Sequence, residues 1–429
     1  MLVAKRIILL CLIVLAGPLV SAWDWQEEIV VTSGESPLAF ATNTRGSIGM
    51  DSSGRIHLVY GAPDNAVPPS NQIFYQLIDV NQQVSSPIRI DNGSVGGGKH
   101  PSLAIDEQDT VHVVWHDYRH TTSAGNYIDN IEIYYDKKVR DGSFSQADIR
   151  LTATNAGHQG DNGYAPQITV GSQNRLYVAW YDYTRNGNNA EIYLIHTDES
   201  GHFPMQEGIE SFRMTNTEHD PNNYPSHWLP DLAALPNGSV YIAWGFLRGW
   251  QGAFELQGLS VNKEGNLSPI QSIAPKGGRF NDPARLIADA EGNLALVYAA
   301  FTDGQYRIIL QYKPLGGEWR APIVLNDETA DASQPCAAFL SPRELLVAWQ
   351  EDLAGFKQIA MAQVDPAGRA IVDREILSQP DREARTPAMA TNPITRKTAV
   401  AWIEKGWNGE YSIEVRSTGQ THVAPWFIY

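Results

Sequence analysis

One short pattern recurs seven times along this chain and constrains its fold more than any other feature. Each copy is a short apolar strand that ends in an aromatic residue, and the seven aromatics are Tyr60, Trp115, Trp180, Trp244, Tyr298, Trp349 and Trp402. A proline stands 14 or 15 residues before six of these aromatics, at Pro101, Pro166, Pro230, Pro283, Pro335 and Pro387. This register indicates a repeat architecture rather than several unrelated domains.

Turn residues divide each repeat into four strands. The Asn237–Gly238 pair, for example, joins the strand that starts at the proline to the strand that ends in the aromatic, which is hairpin chemistry. A third strand follows, as at residues 191–195, and then a fourth, as at residues 147–152. Four antiparallel strands per repeat are typical of a propeller blade. The sequence therefore predicts an all-β fold, a seven-bladed β-propeller of four-stranded antiparallel blades.

The segment 27–32 precedes the first repeat and has the character of a fourth strand without a blade. We expect this N-terminal strand to pair with the last blade and close the ring, because closure removes two exposed sheet edges that would otherwise promote aggregation.

Residues 1–22 have the three parts of a secretory signal peptide: Lys5 and Arg6, an apolar run over 7–20, and small residues that end at Ala22. The apolar run is too short to span a membrane. We therefore expect a secreted or periplasmic protein in which residues 23–429 form one propeller domain. Cys336 would be the only cysteine left, which excludes an internal disulfide and zinc-cluster or redox sites.

The chain is acidic, with a net charge of −16 at pH 7. This balance argues against nucleic acid and against anionic membranes as partners, although a single cleft on an acidic surface can still be basic. No contiguous metal-ligand motif is present, so we expect no catalytic cofactor and no metal at the site; a structural Ca²⁺ or Zn²⁺ ion stays open. We expect a monomer.

Blades two to four carry longer loops than the others, and chemically useful side chains concentrate there. The extra length lies in residues 117–130, 152–165, 182–190 and 215–229, which should emerge on one face of the ring as a raised wall. Six of the eleven histidines belong to this region: His100, His116, His120, His158, His219 and His227.

Two neighbouring blades repeat the pattern in detail. His120 and Arg185 both stand five residues after the strand aromatic, while His100 and Tyr164 both open their blades near the proline. These four side chains are predicted to converge between blades two and three. The acids Asp117, Asp182, Glu351 and Glu404 also recur two residues after the aromatic, including in blades without a wall, so we interpret them as structural.

A pocket of His, Tyr and Arg favours β-elimination on a uronic-acid polymer. Positive charge neutralises the uronate carboxylate where enolate-like charge develops, and a Tyr or His removes the proton at carbon five. Most glycosidases instead use a carboxylate pair, for which Asp161, Glu218 and Asp220 are the candidates here.

The seven blades, the leader, His100, His120, Tyr164 and Tyr224 resemble the seven-bladed propeller ulvan lyases of marine bacteria, and related rhamnosyl-glucuronate lyases have a similar layout. The resemblance implies that His100 and Tyr164 are the catalytic acid and base. It also implies that His120 and an arginine neutralise the carboxylate and that Tyr224 lines the substrate subsite.

The position of the family's arginine is occupied by Tyr181 in this chain. Arg185 and Arg248 remain the alternatives for the neutralising group, and together with Tyr181 they complete the expected substrate-binding set. The expected function is therefore a secreted polysaccharide lyase that acts on an ulvan-like, uronate-containing and possibly sulfated polysaccharide. The alternatives are a sialidase-like propeller glycoside hydrolase and a non-catalytic glycan-binding propeller.

Overall fold

The computed structural model describes residues 23–34, 47–63, 71–92, 97–120, 122–123, 128–129, 131–145, 148–152, 163–183, 189–204, 213–217, 225–247, 254–274, 284–326, 330–353 and 355–418. The predicted signal peptide, residues 1–22, lies outside this part of the chain. Within it, no helix is long and apolar enough to cross a membrane.

The described strands form seven antiparallel sheets, which are the blades of a β-propeller, and the predicted fold class is confirmed. The innermost strands are Ile48–Met50, Gly98–Ile105, Gly163–Val170, Ser226–Ala234, Arg285–Ala288, Ala332–Ser341 and Glu383–Asn392. The second strands are Ile56–Pro63, Val111–Asp117, Leu176–Tyr183, Val240–Leu247, Leu294–Thr302, Glu344–Leu353 and Lys397–Lys405.

The third strands are Asn71–Ile78, Glu132–Lys138, Ala190–His196, Phe254–Val261, Gln305–Lys313, Phe356–Asp365 and Tyr411–Ser417. The outermost strands are Ile88–Arg89, Ile149–Arg150, Gln271–Ser272, Ile323–Val324, Ala370–Ile376 and Ile29–Gly34. In blade three the outermost strand is reduced to a bridge between Tyr193 and Arg213. A short pair, Thr122–Ser123 with Ile128–Asp129, lies in the loop of blade two, and Ser172–Asn174 form one 3₁₀ turn.

The N-terminal strand closes the ring as predicted. Ile29–Gly34 pairs antiparallel with Tyr411–Ser417, the third strand of blade seven. Alternation along the strand buries Val31 and exposes Val30, and the Val31 side chain joins an apolar cluster shared by blades one and seven. The strand thus links the two ends of the chain through both backbone and side-chain contacts.

The repeat aromatics form the core between the blades. Trp115, Trp180, Trp244, Trp349 and Trp402 are fully buried, and Tyr60 and Tyr298 nearly so. Each contributes to a cluster that usually spans two blades; Trp349 of blade six, for example, packs with Ile287 and Val297 of blade five. The aromatic repeat is therefore a packing signal.

All seven blades run in the same sense, which fixes two distinct faces. The innermost strands begin, and the second strands end, on what we term the rim face; the pairing of Gly98 with Asp117 shows this arrangement in blade two. Hairpins between second and third strands also emerge there, while those between innermost and second strands lie on the opposite face. A central cavity of about 330 Å³ is lined by innermost strands, mostly by their second halves, which lie towards the opposite face.

Candidate active site

The rim end of five innermost strands has an unusual backbone that positions the predicted site residues. The residue before the repeat proline has a left-handed φ in each of these blades: 51° at His100, 46° at Ala165, 52° at Leu229, 54° at Gln334 and 49° at Thr386. The strand register shifts at the same point. Residues before proline normally stay extended, so this repeated bulge is a built feature that re-aims the rim side chains.

His116 is the centre of a cluster of rings between blades two and three. Its imidazole is fully buried and meets the His100 ring edge-on, with 4.8 Å between ring centroids. The Tyr118 and Tyr164 rings lie 5.4 and 5.5 Å from the same imidazole. His100 and Tyr164, predicted from different blades, are therefore brought together through one buried ring.

Tyrosines extend the cluster along blade three. Tyr164 stacks on Tyr181, directly opposite in the paired strand, with ring centroids 5.4 Å apart. Tyr183 approaches the edges of both rings, at 5.9 and 6.0 Å. Tyr181 thus belongs to the same cluster as Tyr164 and supports its ring.

A backbone hydrogen bond fixes the tautomer of His116. The amide of Ala165, the bulge residue of blade three, donates to His116 Nδ1 at 3.2 Å, so the ring proton resides on Nε2. An equivalent hydrogen bond joins blades six and seven, where the backbone amide of Thr386, a bulge residue, donates to Gln350 Oε1 at 3.2 Å. The residue after the strand aromatic thus ties one blade to the bulge of the next.

Burial sets the protonation of the two predicted catalytic groups. Burial, followed by the positive charge of Lys99, lowers the pKa of His100 to about 4. Burial also holds the pKa of His116 well below its usual value. Burial and the neighbouring Tyr118 raise the pKa of Tyr164. At neutral pH, His100 is therefore an uncharged acceptor and Tyr164 a protonated donor.

Lys99 brings a positive charge to the cluster, which the sequence reasoning missed. It lies directly opposite His116 in the paired strand, and its ammonium stands 4.9 Å from the centroid of the Tyr118 ring. The sequence did contain a sign that Lys99 belongs to the site: like Tyr164, it stands two residues before the repeat proline of its blade.

His120 occupies a different environment from the ring cluster. It stacks on Tyr134 of the third strand, and Nε2 lies 2.6 Å from the Tyr134 hydroxyl. The side chain is exposed, and burial of its inner part together with the charge of Arg150 lowers its pKa. The other predicted substrate-binding residues, Arg185, Tyr224 and Arg248, lie outside the described residues.

Of the three remaining histidines predicted for the wall, only His227 belongs to the described residues, and its role is structural. His227 is buried, stacks on Phe246 with centroids 4.6 Å apart, and lies 2.7 Å from the Thr217 hydroxyl through Nε2. Burial, with the charge of Arg213, lowers its pKa to about 3. It is therefore a neutral core residue. His158 and His219 lie outside the described residues.

The acids that follow the strand aromatics have the structural role that the sequence predicts. Asp117 accepts a hydrogen bond from Trp115 Nε1 at 3.1 Å and forms an ion pair with Arg119 at 2.7 Å. In blade six, Glu351 accepts from Trp349 Nε1 at 3.3 Å. These bonds anchor the rim ends of second strands within their own blades.

Other carboxylates near the cluster are also occupied by cations. Glu132 is buried and bonded to Arg150, and buried Glu191 pairs with Arg213 at 3.1 Å. The acids considered for a glycosidase pair lie outside the described residues: Asp161, Glu218 and Asp220. Within the described part of the chain, no group of three His, Cys, Asp or Glu side chains is placed to hold a metal ion.

Comparison with known proteins relates the chain by fold. No family model matches the sequence, and no curated protein matches it. A family PL25 ulvan lyase, solved bound to -[GlcA(1-4)Rha3S]-, is 11% identical and aligns over 90% of this chain and 95% of that chain with a TM-score of 0.63. The polysaccharide lyase Uly1 is also 11% identical and aligns over 92% of this chain and all of that chain with a TM-score of 0.57. At this identity the similarity shows a shared propeller fold.

Proposed function

We propose that this protein is a secreted or periplasmic polysaccharide lyase that cleaves uronate-containing polysaccharide by β-elimination. The observation that carries the proposal is the contact of His100 and Tyr164 with one buried imidazole, His116, at a rim of the propeller. Burial gives the two outer groups complementary protonation states, as a proton transfer between substrate atoms requires.

In the proposed reaction, neutral His100 removes the proton at carbon five of the uronate. The electron pair of that C–H bond forms the carbon–carbon double bond between carbons four and five, and the bond from carbon four to the glycosidic oxygen breaks. Tyr164 donates its phenolic proton to the departing oxygen. Transfer of a proton from His100 back to Tyr164 through solvent restores the enzyme.

Positive charge at the uronate carboxylate makes the carbon-five proton removable. Among the described residues, Lys99 places a positive charge at the cluster. Arg185 and Arg248 are the proposed cationic partners of the carboxylate, whereas His120, whose pKa is lowered, is proposed to bind it as a neutral hydrogen-bond donor. Tyr181 and Tyr224 are proposed to line the sugar subsite. Arg119 does not fit this role, because it forms ion pairs with both Asp117 and Asp148 at 2.7 Å.

The similarity to solved lyases supports the choice of substrate class. The first of those structures holds a glucuronate–sulfated rhamnose repeat, and we propose a polymer of this kind as the substrate here. No cofactor takes part in the proposed steps, and the enzyme is proposed to act as a monomer.

The proposal predicts an unsaturated product. Incubation with ulvan and with glucuronan should give rising ultraviolet absorbance from the new double bond, and His100→Ala and Tyr164→Phe should each lower the rate by about 10²-fold or more. Thermal unfolding should stay close to wild type in Tyr164→Phe, which removes a single hydroxyl.

New reducing ends without that absorbance would identify a hydrolase instead. Activity that survives both substitutions would refute the site.

A further inference from the structure

Hairpins of blades five, six and seven display aromatic side chains on the rim face, across the ring from the candidate active site. We term Phe301, Tyr306, Phe356 and Trp407 the aromatic arc. Phe301 and Tyr306 face each other across the hairpin of blade five, with ring centroids 5.2 Å apart. Phe356 of blade six meets Trp407 of blade seven edge-on at 6.1 Å.

Hydrogen bonds hold the hairpins that carry the two aromatic pairs side by side. The Tyr306 amide donates to the Asp331 carboxylate at 2.7 Å, and the Asp352 amide donates to the Asp331 carbonyl at 2.9 Å. Asp331 thus ties the blade-five hairpin to the blade-six hairpin that carries Phe356. The Phe356–Trp407 contact joins the blade-six hairpin to blade seven.

Trp407 is exposed although its backbone is well held. The side chain is 74% exposed. Its turn is closed by hydrogen bonds from Gly406 N to Glu410 O and from Gly409 N to Gly406 O, at 2.9 and 3.0 Å. The Asn408 side-chain amide Nδ2 also donates to the Glu410 carboxylate at 2.8 Å. A large apolar ring on a fixed turn, joined to other aromatics, is typical of a binding surface.

Charges of both signs lie around the arc and bear on the chemistry of its partner. Lys357 pairs with Asp352 at 3.0 Å, and the Lys405 ammonium lies 5.5 Å from the centroid of the Tyr411 ring. Positive charge does not dominate there, so a polyanion would gain little from charge alone. Flat rings with polar neighbours instead match pyranoses, which present an apolar C–H face and hydroxyl edges.

We propose that the aromatic arc is a second carbohydrate-binding surface, which stacks against pyranose rings of a polysaccharide away from the catalytic cluster. The arc shares the rim face with that cluster, so one long polymer can cross both. The identity of the polymer rests on the proposed function; stacking itself needs no catalysis.

Native gel electrophoresis in gels that contain ulvan or glucuronan tests the arc without turnover. All proteins carry Tyr164→Phe, so that the polymer stays intact. We expect the parent to be retarded and the Trp407→Ala/Phe356→Ala variant to bind roughly fivefold more weakly. Ile394→Ala is the matched control, because Ile394 is 86% exposed but lies in a hairpin turn of the opposite face; it should be retarded like the parent.

Equal retardation of the arc variant and its parent would refute the proposed binding surface, and so would a parent that neither polymer retards. A dimer that the arc substitutions dissociate in sedimentation would also overturn it, since the surface would then bind a second copy. Retardation that depends on the arc, in a protein whose wild-type form yields no unsaturated product, would uphold the arc and refute only the lyase.

Discussion

At the scale of single residues, burial gives His100 and Tyr164 complementary protonation states before any substrate binds. An imidazole with its pKa at about 4 is uncharged at neutral pH and can take a proton, whereas a phenol with a raised pKa keeps its own. Lys99 contributes to this setting, because its charge disfavours the imidazolium form of His100.

This setting predicts the acid side of the pH profile. The required neutral form of His100 is complete above its pKa and is lost as the pH falls through it, so kcat/KM should drop below about pH 4. Lys99→Met removes a charge that lowers this pKa, so the drop should move to higher pH. Rates on uronate polymer between pH 3 and 8 measure both; an unmoved acid limb in Lys99→Met would contradict the role of that charge.

His116 is predicted to be a positioning residue. His116→Ala removes the acceptor of the buried Ala165 amide and should lower the free energy of unfolding by about 1–3 kcal/mol. His116→Gln should recover most of the loss, because Gln350 makes the same bond in blade six. Urea unfolding measures the stabilities. Equal stability of His116→Ala and wild type would argue against the inter-blade bond.

Sequence reasoning found some of these residues and missed others for physical reasons. His100 and Tyr164 could be identified because the repeat prolines mark where each innermost strand begins. His116 was counted among the wall histidines, but its central place depends on a ring packing across two blades that spacing does not encode. Lys99 was missed because its alignment with Tyr164 predicts its position on the strand but not the direction of its side chain.

At the scale of elements, the innermost strands differ from what local rules predict. A residue before proline favours extended backbone, so the left-handed bulges at His100 and Ala165 could not be predicted from local preference. The proline itself explains the outcome, because it has no amide to donate to the ladder and bulges accommodate such positions. The proline register was visible in the sequence, whereas its geometric consequence was not.

The closing strand offers a prediction with a matched pair of adjacent residues. Val31 is 6% exposed in the cluster that joins blades one and seven, and Val30 is 58% exposed. Val31→Asp buries an unpaired carboxylate and should destabilise the fold by about 3 kcal/mol or more. Val30→Asp should stay within about 0.5 kcal/mol of wild type. Urea unfolding of both variants measures this; similar losses would contradict the observed register.

At the scale of the whole molecule, the repeat made the architecture predictable. Seven strand aromatics became seven buried or nearly buried core residues, and the N-terminal segment took the place left open in blade seven. Most residues of the long loops of blades two to four lie outside the described residues, so the raised wall stays a prediction; loops this long also exceed hairpin turns, whose residues dictate the backbone. Much of the expected substrate-binding set belongs to these loops.

The closure of blade seven also imposes an order of events. Ile29 pairs with Val415, so a strand near the start of the sequence finds its partner only after nearly four hundred further residues have been synthesised. Until then the N-terminal strand presents unsatisfied amides and carbonyls. The ring therefore closes last, which makes this seam the folding step most exposed to mispairing with another copy.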